Sequence, residues 1–198
     1  MKALLLSLSL SFCLLITHAA EKNDYSIKPA FDTLKLQTEN NNAYYQNAVK
    51  VDSSIKVSTI YLRALQFMAA KNFQQTYGYA QEGKLIFTSQ QDLNINPTYE
   101  GDNDDPDPYT VQFSITIDMK NGRYRYTISN VTFYLPTQTG NRRMTLYEVL
   151  KKEDPSESRR TIKEARNLIG SFERYLTSLT NQLNIEIEHK AAIYNTKF

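Results

Sequence analysis

The stretch that decides the fold is VQFSITIDMKNGRYRYTISNVTF, residues 111–133. Two runs of alternating polar and apolar residues flank Asn121-Gly122, a dipeptide that favours the type I′ turn of a two-residue hairpin loop. Such a loop fixes the register, so the numbers of paired residues must add up to the same value. The apolar pairs predicted on this basis are Met119 with Tyr124, Ile117 with Tyr126, and Ile115 with Ile128.

The other face of this hairpin is polar. Asp118 is predicted opposite Arg125, and Thr116 opposite Thr127, so this face either meets water or contacts a polar partner. We expect it to be the binding surface of the protein. The candidate binding residues on it are Gln112, Ser114, Thr116, Asp118, Arg125 and Thr127.

Two further segments show helical periodicity. Apolar residues recur at helical spacing near Ser58 to Phe73, which predicts a helix that faces the core. A longer helix is predicted near Glu157 to Glu188, where apolar residues follow one another in steps of three and four. This apolar stripe favours a helix lying across a sheet, and the alternative is a coiled-coil homodimer formed through the same stripe.

Together these elements predict an α+β fold, with an antiparallel twisted sheet of about four to five strands and helices packed on one face. A single domain is expected over residues 44–190. It would follow a polar, poorly ordered leader at 21–43 and end in a C-terminal tail at 191–198.

The first twenty residues have the three parts of a secretory signal peptide: Lys2, an apolar run, and a small-residue exit at Ala19 and Ala20. The apolar run is shorter than the roughly 20 residues that a membrane-spanning helix needs. We therefore predict export to the periplasm, the cell surface or the extracellular space, with no membrane span left after cleavage. Because Cys13 is the only cysteine, the mature chain can form no disulfide.

Few side chains could carry catalysis. The two histidines are His18, within the signal peptide, and His189, near the end of the long helix. No cofactor motif is present, and a nucleophilic triad or a histidine-rich zinc site cannot be built from one imidazole. These residues predict a protein that is not an enzyme and uses no cofactor.

An acidic loop at 100–107 is the one cluster with metal-ligand spacing. Its weak candidate ligands are Asp102, Asp104 and Asp105. An EF-hand that began at Asp102 would need Gly and Glu at its sixth and twelfth places, where this chain has Asp107 and Phe113. A solvated turn is the favoured interpretation, and a metal-assisted hydrolase is the alternative.

The charge balance gives no footprint for nucleic acid. The formal net charge of the chain is +2, and it becomes +1 when the signal peptide takes Lys2 away. Arg123, Arg125, Arg142 and Arg143 could form an anion patch. We interpret them instead as a solvated basic edge, because edge strands commonly carry charge and Arg125 has Asp118 opposite.

The order of these elements resembles an uncharacterised family of exported bacterial proteins that has a fold like that of TATA-binding protein. The likeness rests on Ser58 and Tyr61 at the helix start and on the motif from Asn121 to Thr127, and it covers roughly residues 48–133. Members often have Trp where Phe67 stands. The resemblance implies a curved antiparallel sheet with helices on one face, and it supplies no activity, cofactor or catalytic residue.

The functional prediction is an exported, non-enzymatic binding or interaction module that uses the polar sheet face and its loops. The expected partner is an envelope or extracellular protein or a glycan. The protein itself is expected to be a monomer or a weak homodimer.

Overall fold

The computed structural model describes residues 34–94, 108–137 and 140–194. The strands are β1 (Lys35–Glu39), β2 (Asn42–Lys50), β3 (Gln74–Tyr79), β4 (Lys84–Asn94), β5 (Pro108–Lys120), β6 (Arg123–Thr137) and β7 (Gly140–Thr145). The helices are α1 (Val57–Ala70), α2 (Leu146–Lys151) and α3 (Arg159–Tyr194). This is the α+β architecture that the sequence predicts.

The strands form one antiparallel sheet in the order β1-β2-β6-β5-β4-β3, and β7 also pairs with β6. The sheet has seven strands, so the prediction of four to five was too low. β1 lies within the residues predicted as a poorly ordered leader, and β7 is a strand that the sequence analysis did not predict. Both strands are mostly polar and exposed, so they lack the alternation that identifies a strand.

The register of the central hairpin is confirmed. Met119 pairs with Tyr124, Ile117 with Tyr126, and each polar residue faces its predicted partner. The predicted type I′ turn was wrong, because it needs positive φ at both central residues, whereas Gly122 has φ 69° and Asn121 does not have a positive φ. The apolar residues of both strands are buried under the helices.

One bulge interrupts this hairpin. Ser114 pairs with Ser129, but two residues further back Gln112 pairs with Thr132, so β6 contains one extra residue. The extra residue is accommodated at Asn130, which has φ 55°, and a residue in this conformation is typical of one bulge type. On the side of β6 that faces away from β5, the residues before the bulge pair with β2 and the residues after it pair with β7.

Helix α3 crosses the sheet and centres on Phe172, which is fully buried. Its ring makes edge-to-face contacts with Tyr45, Phe113 and Phe133 at centroid distances of 6.1, 5.4 and 5.6 Å. The apolar stripe of α3 is buried against the same chain at Ala165, Ile169, Phe172, Leu176, Leu179 and Leu183. The stripe is therefore occupied, which contradicts the coiled-coil alternative.

Polar contacts fix α3 along its length. The hydroxyl of Tyr45 donates to Glu173 Oε1 at 3.1 Å, and the buried guanidinium of Arg63 on α1 donates to the carbonyl of Ile187. Buried polar groups of this kind need partners, so these bonds set the position of the helix as well as its orientation.

Helix α2 is an element that the sequence analysis missed. Thr145 and Glu148 form a capping box, in which the Glu148 backbone N–H donates to Thr145 Oγ1 at 3.2 Å and the Thr145 N–H donates to Glu148 Oε2 at 2.7 Å. These bonds hold the pKa of the Glu148 carboxyl below its usual value. The spacing of Thr145 and Glu148 was a helix-start signal that could have been recognised.

Replacing Phe172 with Ala should lower the free energy of unfolding by about 3–5 kcal/mol, because a fully buried ring leaves a cavity that the sheet cannot fill. Urea denaturation followed by circular dichroism would measure this loss. Ile185→Ala on the same helix is the control, since Ile185 is 52% exposed and should change stability by no more than about 0.5 kcal/mol. Equal losses in the two variants would contradict the central role of Phe172.

Stability should also fall at high pH. Burial raises the pKa of Tyr175 to about 12, and burial also raises the pKa of Tyr45 and of Tyr124. The folded state therefore holds the phenol protons more tightly than the unfolded chain does. The resulting stabilisation is complete below pH 10.0, the ordinary pKa of tyrosine, and it is lost as the pH rises towards about 12. Urea midpoints measured across this range should fall less steeply in Tyr175→Phe than in Tyr79→Phe, which alters an exposed side chain. If the urea midpoints of both variants fell equally steeply with pH, Tyr175 would not contribute to the loss of stability at high pH.

Candidate functional site

All the predicted binding residues lie on the sheet face opposite the helices, which we call the open face. Gln112 and Arg125 are exposed, while Ser114, Thr116, Asp118 and Thr127 are half-buried between their neighbours. Among the described residues, no helix packs on this face. The open face is therefore the side of the sheet that the described helices leave uncovered.

Hydrogen bonds between side chains order this face. Arg125 donates to Asp118 Oδ2 at 2.9 Å, and Gln46 Nε2 donates to Thr127 Oγ1, also at 2.9 Å. An exposed ion pair such as Asp118–Arg125 contributes at most about 1 kcal/mol to stability. The effect of these two contacts is to fix the orientation of side chains rather than to hold the fold together.

A cleft of about 750 Å³ opens where β6 changes its partner from β2 to β7. We call it the partner-switch cleft. The open face supplies Gln112 and Ser114 to its lining, and the bulge supplies Asn130. Further polar and aromatic lining comes from the end of β1, the β1–β2 turn, β2, β4, β5, β6, β7 and α2, through Glu39, Asn40, Asn41, Asn42, Tyr44, Thr88, Phe113, Ser129, Thr132, Arg143, Thr145 and Tyr147.

Asparagines with positive φ shape this cleft. Asn40 and Asn41 have φ 49° and 62°, and Asn130 has φ 55°. Asparagine enters this left-handed region more readily than most residues, and a two-residue turn with positive φ at both positions is a type I′ hairpin turn. The backbone thus places three amide side chains around one opening.

The lining consists mainly of groups that form hydrogen bonds in both directions. An amide both donates and accepts, and so does a hydroxyl. Two tyrosines add aromatic surface: the Tyr44 hydroxyl donates to Gln37 Oε1 at 2.8 Å, and Lys151 lies over the Tyr147 ring at 4.7 Å. The cleft can therefore bind a neutral polar molecule through many paired hydrogen bonds.

A smaller cavity of about 290 Å³ lies at the turn end of the β5–β6 hairpin and includes Asp118 and Arg125 in its lining. The predicted binding residues are thus divided between two places on the open face. Gln112 and Ser114 belong to the partner-switch cleft, whereas Thr116 and Thr127 lie between the two cavities.

The interpretation of the arginines as a basic edge was wrong for Arg123 and Arg125. Both lie on β6, which has β2 on one side and β5 on the other, so they are in the interior of the sheet. The alternating pattern of the hairpin sequence could not show that β6 lies inside the sheet, because that pattern does not reveal which other strands pair with the hairpin. Arg142 and Arg143 do lie on the outer strand β7.

The acidic loop 100–107, with Asp102, Asp104 and Asp105, lies outside the described residues, as does the predicted signal peptide. Within the described ranges, no group of three His, Cys, Asp or Glu residues has the geometry of a metal site. None of the helices in these ranges has the length and apolar character needed to cross a membrane.

Sequence reasoning missed most of the cleft, including Asn40, Asn41, Asn130 and Tyr147. One signal was available: Asn40-Asn41 precedes the strand at Tyr45 and has the composition of a type I′ turn. The bulge gave no comparable signal. Asn130 continues the strand pattern in the sequence, and only the pairing shows the shift.

The arrangement of one antiparallel sheet with helices on one face is that of the TBP-like fold. A solved structure described as a TBP-like protein from Parabacteroides distasonis ATCC 8503 is 12% identical, with a TM-score of 0.61 over 76% of this chain and 96% of that chain. A DUF4468 family protein from Bacteroides ovatus ATCC 8483 is also 12% identical, with a TM-score of 0.59 over 77% of this chain and 92% of that one.

Residues 45–134 match the sequence model of a family described as a domain of unknown function (DUF4468) with TBP-like fold. The resemblance inferred from the first helix and the hairpin is thereby confirmed. No curated protein matches the chain. The matched range includes the hairpin and its bulge, while the β1–β2 turn, β7 and α2 lie outside it.

Asn130→Ala should lower the free energy of unfolding by about 1 kcal/mol, because alanine is strained in the left-handed conformation. Asn130→Gly should keep the stability of the natural protein to within about 0.5 kcal/mol, since glycine adopts this conformation freely. Urea midpoints of the two variants provide the comparison. If both variants were equally destabilised, the contribution of Asn130 to stability would come from its amide side chain and not from its backbone conformation.

Proposed function

We propose that the protein is an exported, non-enzymatic binding module that holds a saccharide on the open face of its sheet. The partner-switch cleft is the main contact surface. The observation that carries this proposal is the placement of three amide side chains, at Asn40, Asn41 and Asn130, around one cleft on that face.

The chemistry of the lining supports a saccharide. Sugar hydroxyls donate and accept hydrogen bonds, and amides match them because each amide does both. Tyr44 and Tyr147 supply aromatic surface with a polar tip, a combination suited to partly wet contacts. The volume of about 750 Å³ is within the usual range of ligand sites.

The groups that line the cleft favour binding over catalysis. Glycoside hydrolysis ordinarily uses two carboxyl groups at a set separation. Glu39 is the only carboxylate among the described lining residues. With no mature cysteine, and with His189 as the only mature histidine, we assign the cleft no nucleophile.

Export is part of this proposal. The features of residues 1–20 direct the chain across a membrane, and a glycan-binding module would then meet its ligand in the periplasm or at the cell surface. The mature domain needs no disulfide there, because its stability comes from the core beneath the sheet.

Titration calorimetry with maltotetraose, cellotetraose and chitotetraose would test this function. We expect binding of at least one of them at millimolar concentration, and a loss of about tenfold in affinity when Asn41→Gly and Asn130→Gly are combined. Both substitutions remove amides and keep the left-handed backbone.

Asn72→Gly is the matched control, since Asn72 also has positive φ, 60°, but follows α1 and does not line the cleft. It should bind as the natural protein does. Two outcomes would contradict the proposal: no binding of any of these sugars, or equal affinity in the double variant and the control.

A further inference from the structure

Three cations lie side by side at the turn end of the open face. Arg123 on β6 pairs with Lys50 on β2 and with Lys120 on β5, so the three residues form one row across three strands. All three side chains are exposed. We call Lys50, Arg123 and Lys120 the cationic row.

Neighbouring carboxylates are engaged elsewhere. Asp118 pairs with Arg125 at 2.9 Å, and Asp52, just after β2, accepts from the Ser54 backbone N–H at 2.8 Å. Among the described residues, no carboxylate forms an ion pair with the cationic row. The positive charge of the row is therefore not neutralised by the part of the chain that the structure describes.

The stability of the fold gives no reason for a cation at Arg123 between two others. Like charges directly opposite one another on adjacent strands are destabilising. Protection of an unpaired sheet edge can account for Lys50 and Lys120, since the described pairing of β1 with β2 ends at Gln46 and that of β4 with β5 ends at Asp118. It does not account for Arg123, which pairs with Lys50 on one side and with Lys120 on the other. An anion bound across the row would relieve the repulsion.

The row and the partner-switch cleft share one face. Strand β5 runs from Ser114 in the cleft to Lys120 in the row, a distance of about 20 Å at the usual rise of a strand. The row itself is about 10 Å wide, given the usual spacing of strands. A chain molecule that lies along β5 would contact both places.

We infer that the ligand of the open face is an acidic polysaccharide, with sugar hydroxyls in the partner-switch cleft and negative groups against the cationic row. This inference rests on the proposed function, because it adds a charge to the saccharide proposed there. The charges of the row are spread over three strands, which suits a polymer with several anionic groups better than a single small ion. The small adjoining cavity is lined by Lys120 and Arg123 together with the Asp118–Arg125 ion pair, so its charge is positive on balance and it would take one such group.

Affinity electrophoresis with dextran sulfate and with dextran of the same length separates charge from sugar. The natural protein should bind dextran sulfate about tenfold more tightly than dextran at low salt. Lys120→Gln combined with Arg123→Gln should remove most of this difference. Arg159→Gln combined with Arg166→Gln is the matched control, because it removes the same charge from exposed positions on α3, and it should keep the preference.

The thermal midpoint of the row variant should equal or exceed that of the natural protein, since the substitutions relieve repulsion. Equal losses of binding in the row variant and the control would overturn the inference, as would equal affinity of the natural protein for dextran and dextran sulfate. Stronger binding to phosphatidylglycerol vesicles than to dextran sulfate would also overturn it, in favour of a lipid surface.

The two proposals fail in different ways. If the Asn41→Gly, Asn130→Gly variant bound dextran sulfate as the natural protein does, the cleft would be excluded while the row remained the contact. If the row variant bound dextran sulfate normally and the Asn41→Gly, Asn130→Gly variant did not, the cleft would remain the saccharide site and the inference of an acidic ligand would fail.

Discussion

The packing of Phe172 on the apolar face of the β5–β6 hairpin is the contact on which the rest of the structure depends. The Asn121-Gly122 turn fixes which side chains face the helices, and Phe172 then joins Tyr45, Phe113 and Phe133 into one aromatic centre. Because side chains alternate along a strand, burying one face of the hairpin exposes the other. The open face is thus a direct consequence of the core.

Strand β6 connects the core to the candidate site. It is long enough to pair with β2 and then with β7, and the bulge at Asn130 separates the two pairings. The partner-switch cleft lies at this separation. The cleft therefore comes from strand pairing and needs no separate loop domain, which explains why its lining is drawn from such distant parts of the chain.

Much of the fold could be predicted because its signals are local. The turn dipeptide, the alternation around it and the helical stripes of α1 and α3 each occupy a short stretch of sequence. Strands β1 and β7 were missed because their exposed polar residues show no period. The open-face residues followed from register alone, whereas the cleft and the interior position of Arg123 depend on contacts between distant segments, which local patterns do not encode.

Strand β3 forms one outer margin of the sheet, and all its residues are exposed. Its pairing with β4 shifts between Gln75 and Tyr77, and such an irregularity twists an outer strand away from the flat shape that a second sheet would need to add to it. Strand β3 is therefore a poor template for the edge-to-edge addition of a further strand.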